Sequence, residues 1–94
     1  MDTHQFEAQL RSDGYLDIKA RTLDPTASTN SHSHLFDTRL LVLDGEVTIS
    51  GQGQQRTYQA GDVLEIQRQV EHSESYGSTR FQFIAGLRHT QATS

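Results

Sequence analysis

The amino-acid sequence predicts an all-β fold, a small antiparallel β-barrel with one short N-terminal helix. Apolar and polar residues alternate in several segments, which is the pattern of strands with one buried face. Turn pairs separate these segments at Asp44-Gly45, Gly61-Asp62 and Gly77-Ser78. A closed barrel also suits a short chain, because closure removes exposed strand edges.

Length and composition predict a single domain. A chain of 94 residues and 10.6 kDa supports one modest core, and its hydrophobic fraction of 33% is low. We expect residues 1–94 to form one domain, with the helix in 1–14, the barrel in 15–88 and a loose tail in 89–94. Because one copy buries little apolar area, we also expect a homodimer.

Charge and composition exclude several classes of function. The net charge is -4 and lysine and arginine form no run, so a nucleic-acid surface has no electrostatic support. The absence of cysteine excludes disulfides, thiolate zinc sites and a cysteine nucleophile. No apolar segment is long enough to span a membrane or to form the core of a signal peptide. We expect a cytoplasmic protein that binds neither nucleic acid nor membrane.

The N-terminal segment has the signals of a short helix. Asp2 or Thr3 can cap it, and Gly14 is placed to end it. Phe6 and Leu10 stand four residues apart and therefore lie on one helix face. We expect this pair to pack on the barrel.

The first strand is predicted over residues 15–23, where the pattern changes to a period of two. Leu16, Ile18 and Ala20 would share its buried face. The polar segment 24–31 follows as a loop that leads directly to His32.

Two histidines one residue apart open the central part of the chain. Residues two apart in a strand point the same way, so His32 and His34 can converge on one object. The same parity directs four further residues inward: Phe36, Thr38, Leu40 and Val42. Apolar residues on both faces of the segment 40–43 indicate a strand covered twice. One cover would be the barrel interior, and the other a second copy or the N-terminal helix.

Three more strands are predicted, over Val63–Ile66, residues 70–76 and residues 80–87. The second of these places four residues on one face: Val70, His72, Glu74 and Tyr76. The third has an apolar inner face: Phe81, Phe83, Ala85 and Leu87. Its alternation predicts the last strand of the barrel.

The spacing of His32, His34 and Gly45 resembles the first motif of the cupin superfamily. That motif has a His-any-His pair, a glutamate four residues after the second histidine, and a glycine seven residues after the glutamate. Thr38 occupies the glutamate position here.

The second cupin motif is matched by Gly61, Asp62 and His72, while Gln67 and Gln69 stand where proline and glycine are usual. The resemblance implies a small antiparallel barrel, the double-stranded β-helix or jelly roll. It also implies that a metal or a small ligand lies in the barrel mouth.

His32, His34 and His72 are the predicted metal ligands. A third imidazole from a neighbouring strand completes a three-nitrogen site, and neutral imidazoles suit divalent zinc, iron, nickel, copper and manganese. The alternative is a pocket whose histidines hydrogen-bond an organic ligand or water. His4 and His89 lie near the termini and are interpreted as structural or exposed.

Thr38 contributes no charge and is a poor ligand, which leaves an open coordination position for water, substrate or dioxygen.

Glu74 shares parity with His72 and is a candidate catalytic base or outer partner of a ligand; equally, it could be a solvated rim acid. Asp37 would reach the site only through a β-bulge. Phe36, Asp37, Thr38 and Tyr76 complete the candidate pocket.

Two classes of function follow. In the first, the protein is a small metal-dependent enzyme that resembles cupin dioxygenases, isomerases or lyases and acts on a small oxygenated or carbonyl compound. In the second, it is a non-catalytic module that binds or senses a small molecule, similar to the cupin barrels that precede DNA-binding domains in bacterial regulators. The fold hosts both classes and cannot decide between them.

Overall fold

The fold is described from a computed structural model, over residues 2–24, 31–77 and 80–89. This part of the chain contains one helix and seven strands. They are α1 (Thr3–Ser12), β1 (Leu16–Leu23), β2 (Phe36–Asp44), β3 (Glu46–Gly51), β4 (Gln54–Gln59), β5 (Val63–Ile66), β6 (Ser73–Tyr76) and β7 (Phe81–His89). The predicted all-β class with a short N-terminal helix is confirmed.

The strands form two antiparallel sheets. The four-stranded sheet has the order β1-β7-β2-β5, and the three-stranded sheet has the order β4-β3-β6. Side chains from both sheets meet in one core, whose buried members are Leu40, Val42, Val47, Leu64, Ile66 and Phe81. The inward parity predicted for Leu40 and Val42 is therefore correct.

A second core lies on the outer face of the four-stranded sheet, where α1 packs. It consists of Phe6, Leu10, Tyr15, Leu41 and Ile84. The outer cover predicted for the segment 40–43 is thus the N-terminal helix, and the core needs no second copy to bury Leu41.

The boundaries of α1 follow from local hydrogen bonds. Asp2 is the N-cap, and its Oδ1 accepts the backbone N–H of Gln5 at 2.7 Å. After Asp13, Gly14 takes a positive φ of 87°, which ends the helix as predicted.

The predicted face of β1 is wrong for Leu16 and Ala20, which are exposed, Leu16 by 65%. The pairing register with β7 shifts between Leu16 and Lys19, and Asp17 has φ 54°. An irregularity of this kind inserts an extra residue and breaks the alternation of faces. Leu16 consequently turns outward, while Ile18 packs against the core under α1.

Two other predicted boundaries differ from the structure. Regular β6 begins at Ser73 rather than at residue 70. Strand β7 continues through His89, which pairs with Phe36, so the predicted tail begins one residue too early. The predicted loop residues 25–30, Ser78 of the turn and tail residues 90–94 lie outside the described residues. Among the described helical residues, no helix is long and apolar enough to cross a membrane.

One departure from the motif pattern places a residue with a Cβ in a strained backbone conformation. Gln69, where the family has glycine, has φ 61°. Left-handed backbone of this kind costs a residue with a Cβ about 1 kcal/mol, whereas glycine adopts it freely. The backbone at Gln69 thus has the conformation that a glycine at this motif position would adopt without strain.

We predict that Gln69→Gly stabilises the protein by about 0.5 to 1 kcal/mol, because relief of the left-handed strain exceeds the entropy that glycine loses on folding. Urea unfolding of the two proteins measures the difference. Gln67→Gly is the matched control two residues earlier and should destabilise. An equal decrease in the free energy of unfolding for both variants would contradict the prediction.

Candidate metal centre

The site is built on a backbone pairing between His32 and His72. Each residue donates its N–H to the carbonyl of the other, and both N···O distances are 2.8 Å. This antiparallel bridge lies outside the regular strands, since β2 begins only at Phe36 and β6 at Ser73. It joins the segments that precede β2 and β6, and so brings the two predicted motifs together.

His34 is held by a second backbone contact between the motifs. Its carbonyl accepts the N–H of Gln69 at 2.7 Å. The imidazole centroid of His34 then lies 4.8 Å from that of His32 and 5.6 Å from that of His72. The three predicted ligands are therefore brought together, and their candidate ligand nitrogens lie within 4.8 Å of one another.

The imidazole of His72 has a defined tautomer. The ring is buried, with 3% exposure, and Nδ1 lies 3.0 Å from the carbonyl oxygen of Val70. A carbonyl can only accept, so Nδ1 carries a proton, and in the neutral ring Nε2 therefore presents a bare lone pair. Nε2 is buried and has no hydrogen-bond partner among the described residues. A buried acceptor left in this state costs about 1 to 3 kcal/mol.

The environment of His34 also favours a neutral imidazole. Burial lowers its pKa most, and the neighbouring His32 and His72 rings lower it further, while Glu74 acts in the opposite direction. A neutral ring is the form that binds metal.

These residues fit a divalent transition metal. Three imidazoles are a common donor set for zinc, copper, nickel and iron, and the carbonyl behind His72 is a usual outer partner of a ligating histidine. Metal–nitrogen bonds of about 2.1 Å would place two nitrogens about 3.4 Å apart, so the nitrogens, which lie up to 4.8 Å apart, would need to approach by up to about 1.4 Å.

Glu74 and Tyr76 lie beside the three rings, as the parity of β6 predicts. Glu74 Oε1 is 3.8 Å from His32 Nε2. Tyr76 hydrogen-bonds the Glu74 carboxylate, and burial, the charge of Glu74 and this bond together raise the pKa of Tyr76 to about 12. Tyr76 is therefore a protonated donor that orients Glu74.

A cavity of about 100 Å³ opens into the sandwich beside His34. Besides His34, its polar lining residues are Thr38, Glu74 and Tyr76. Its apolar walls are Leu40, Val47, Ile49, Ile66, Phe81 and Phe83. Phe36 stacks on His34, with ring centroids 4.8 Å apart, and contacts His89 on its other side at 5.3 Å.

Asp37 lies on the opposite face of β2, away from the histidines. Its Oδ1 accepts the backbone N–H of Arg68 at 2.9 Å, and its Oδ2 accepts Nε and Nη2 of Arg88 at 3.2 and 3.1 Å. The register of β2 against β7 shifts only between Val42 and Asp44, so no bulge turns Asp37 inward. The Arg68 backbone hydrogen bond lowers its pKa most; burial opposes this, and Arg88 adds to the lowering.

Gly51 is a positioning residue that the sequence did not reveal. A Cβ at this position would lie 2.5 Å from the carbonyl oxygen of Glu71 and 3.1 Å from Cα of His72. Only glycine leaves room for the backbone that carries His72. The sequence signal was ambiguous, because Gly51 opens a Gly-rich segment typical of a hairpin tip.

No family model and no curated protein matches this sequence. Solved structures do. A cupin superfamily protein from Desulfitobacterium hafniense DCB-2 matches with a TM-score of 0.68 at 23% identity, over 78% of this chain and 66% of that protein. An uncharacterized conserved protein with a double-stranded β-helix domain from Klebsiella pneumoniae matches with a TM-score of 0.65 at 22% identity, over 81% and 69%.

An HTH_3 family transcriptional regulator from Vibrio cholerae has a TM-score of 0.67 at 17% identity, over 85% of this chain and 46% of that protein. The chain thus spans about two thirds of the first two proteins and less than half of the regulator. At these identities the likeness concerns the fold. The chain has the cupin fold, a double-stranded β-helix, as the motif resemblance implied.

Asp37 generates a pH-dependent prediction. Because its folded pKa is depressed, its contribution to stability is present above the ordinary aspartate pKa of about 4 and is lost as the pH falls through the lower folded pKa. We expect Asp37→Asn to destabilise by about 1 to 3 kcal/mol at pH 7 and by less at pH 3, which lies below the ordinary aspartate pKa.

Urea unfolding at the two pH values measures this difference. The exposed Asp24→Asn is the control and should change stability little at either pH. A penalty for Asp37→Asn that is the same at both pH values would show that its charge is not what stabilises the fold.

Proposed function

We propose that this cupin-fold protein binds one divalent transition metal through His32, His34 and His72 and places a small molecule against it. The observation that carries the proposal is the bare, buried Nε2 of His72. A lone pair without a hydrogen-bond donor is costly in a folded protein unless a ligand takes it, and the two further imidazoles of the cluster offer candidate ligand nitrogens nearby.

The chemistry we propose is that of a small metal-dependent enzyme of the dioxygenase, isomerase or lyase type. A metal held by three imidazoles has open positions and would polarise a bound carbonyl or oxygenated group. The chain contributes His34 and Thr38 at the inner end of the site, and apolar walls that exclude bulk water. These features support substrate binding with one polar end at the histidines.

The cavity beside His34 is small. A water molecule occupies about 30 Å³ of liquid, so about 100 Å³ holds the equivalent of about three waters. We therefore propose a compound of a few non-hydrogen atoms, or the reactive end of a larger one. Six of the lining residues are apolar and suit a hydrocarbon portion beyond the polar end: Leu40, Val47, Ile49, Ile66, Phe81 and Phe83.

A second candidate function is a non-catalytic binding or sensing module. The observation that favours it is the likeness to the Vibrio cholerae regulator, in which a barrel of this fold forms part of a longer chain. An assay for conversion of the bound small molecule distinguishes the enzyme from the sensor, because a sensor would bind its small molecule without converting it.

Homodimerisation and a cytoplasmic location are further proposals. The two-sided apolar segment that motivated the dimer is covered by α1 in one chain. Support now comes from large apolar side chains that stay exposed, among them Leu16 and Leu35.

The metal proposal predicts that protein made without a histidine tag binds one Zn²⁺ or Ni²⁺ per chain in a calorimetric titration. His34→Ala and His72→Ala should each lower the affinity by more than about 100-fold, since each removes a direct ligand. His4→Ala is the matched control, because it removes an exposed imidazole on α1, away from the cluster, and should leave binding unchanged. Equal binding by all four proteins would overturn the proposal.

A further inference from the structure

We propose that Glu74 is the fourth, anionic ligand of this metal centre. The inference rests on the proposed three-histidine site and adds a carboxylate that the motif resemblance does not supply. The first cupin motif has its glutamate on the strand where this chain carries Thr38. Here the acid is provided by the opposite sheet.

The first support is the shared cavity. Thr38 lies on β2 of the four-stranded sheet, Glu74 lies on β6 of the three-stranded sheet, and both line the cavity beside His34. A carboxylate on either strand therefore faces the same space. An acid is therefore present in this space, on a different strand from the one that carries the glutamate position of the motif.

The second support is distance. Glu74 Oε1 lies 3.8 Å from Nε2 of His32, which is within the 4.8 Å that separates the candidate ligand nitrogens themselves. Glu74 also acts electrostatically on His34, so its charge is close to two of the three ligands.

The third support is orientation. Tyr76 hydrogen-bonds the Glu74 carboxylate, and metal-ligating carboxylates are commonly fixed by an outer hydrogen bond of this kind. The side chain of Glu74 is 19% exposed, so it is held inside the barrel mouth rather than solvated.

Other acids near the motifs do not fill this role. Asp37 is turned to the outer face of β2 and is paired with Arg68 and Arg88. Glu71 precedes His72 but is exposed. Within the described residues, Glu74 is the acid that lines the cavity beside His34.

Charge gives the physical reason for a fourth ligand. Three neutral imidazoles leave a divalent ion with its full double charge in a partly buried site, and unbalanced buried charge is costly. One carboxylate halves that charge. Because the carboxylate comes from β6, the space beside Thr38 on β2 stays open for the small molecule.

The test uses Zn²⁺ alone as the probe, in calorimetric titrations of the whole chain. Glu74→Gln keeps the shape of the side chain and removes its charge, and we expect its affinity to fall by about 10- to 100-fold. Adding Thr38→Glu to Glu74→Gln should recover most of the loss, since it returns a carboxylate to the same cavity. Glu71→Gln is the matched control and should bind as the wild type does.

A crystal structure of the Zn²⁺-loaded wild type gives the direct readout. We expect a Glu74 oxygen at about 2.0 to 2.2 Å from the ion. An ion held by His32, His34 and His72, with Glu74 outside bonding distance or Glu74→Gln binding equally well, would overturn this inference and leave the three-histidine centre standing. Absence of Zn²⁺ binding by the wild type would instead overturn the centre itself.

Discussion

The reciprocal backbone pairing of His32 and His72 is the constraint on which the site depends. Its two hydrogen bonds, each 2.8 Å, join the segment before β2 to the segment before β6. Those strands belong to different sheets, so the pairing ties the sheets together at the barrel mouth. Directly paired residues in an antiparallel bridge are about 5.5 Å apart at Cα, which is close enough for their imidazoles to meet. His34, fixed by Gln69, then completes the cluster.

The two faces of β2 serve different purposes. The inner face meets the histidines through Thr38 and an apolar core, and its polar groups are few and neutral. The outer face carries the charges: the Tyr15 ring is contacted by the guanidinium groups of Arg39 and Arg88 at 4.6 and 4.7 Å, and Asp37 is bound by Arg88. Arg39 also pairs with the Asp13 carboxylate, and Arg88 Nη1 donates to the Asp13 carbonyl at 3.2 Å, so this outer network ties the residue that follows α1 to the sheet. The acidic and basic side chains on the outer face of β2 are thereby kept out of the cavity.

Much of the fold follows from sequence periodicity, because burial on one face enforces alternation. The regular strands β2 and β7 obey it, and so does Glu74, which parity alone placed beside His72. Periodicity failed where the backbone departs from regular geometry. The irregularity at Asp17 turned Leu16 outward, and the close approach of Gly51 to His72 depends on a contact between residues far apart in the chain. Strand parity was also an incomplete reason for the convergence of His32 and His34, because these residues precede β2 and are placed by hydrogen bonds to the second motif.

The central claim is that His72 holds an unprotonated Nε2 ready for a ligand before any metal is present. Nitrogen chemical shifts of the isotope-labelled imidazoles, measured by NMR on metal-free protein at neutral pH, test this claim most directly. The structure predicts the Nδ1–H tautomer for His72, with Nε2 bare and strongly shifted when Zn²⁺ is added. An Nε2–H tautomer, or an Nε2 signal that does not respond to Zn²⁺, would contradict it.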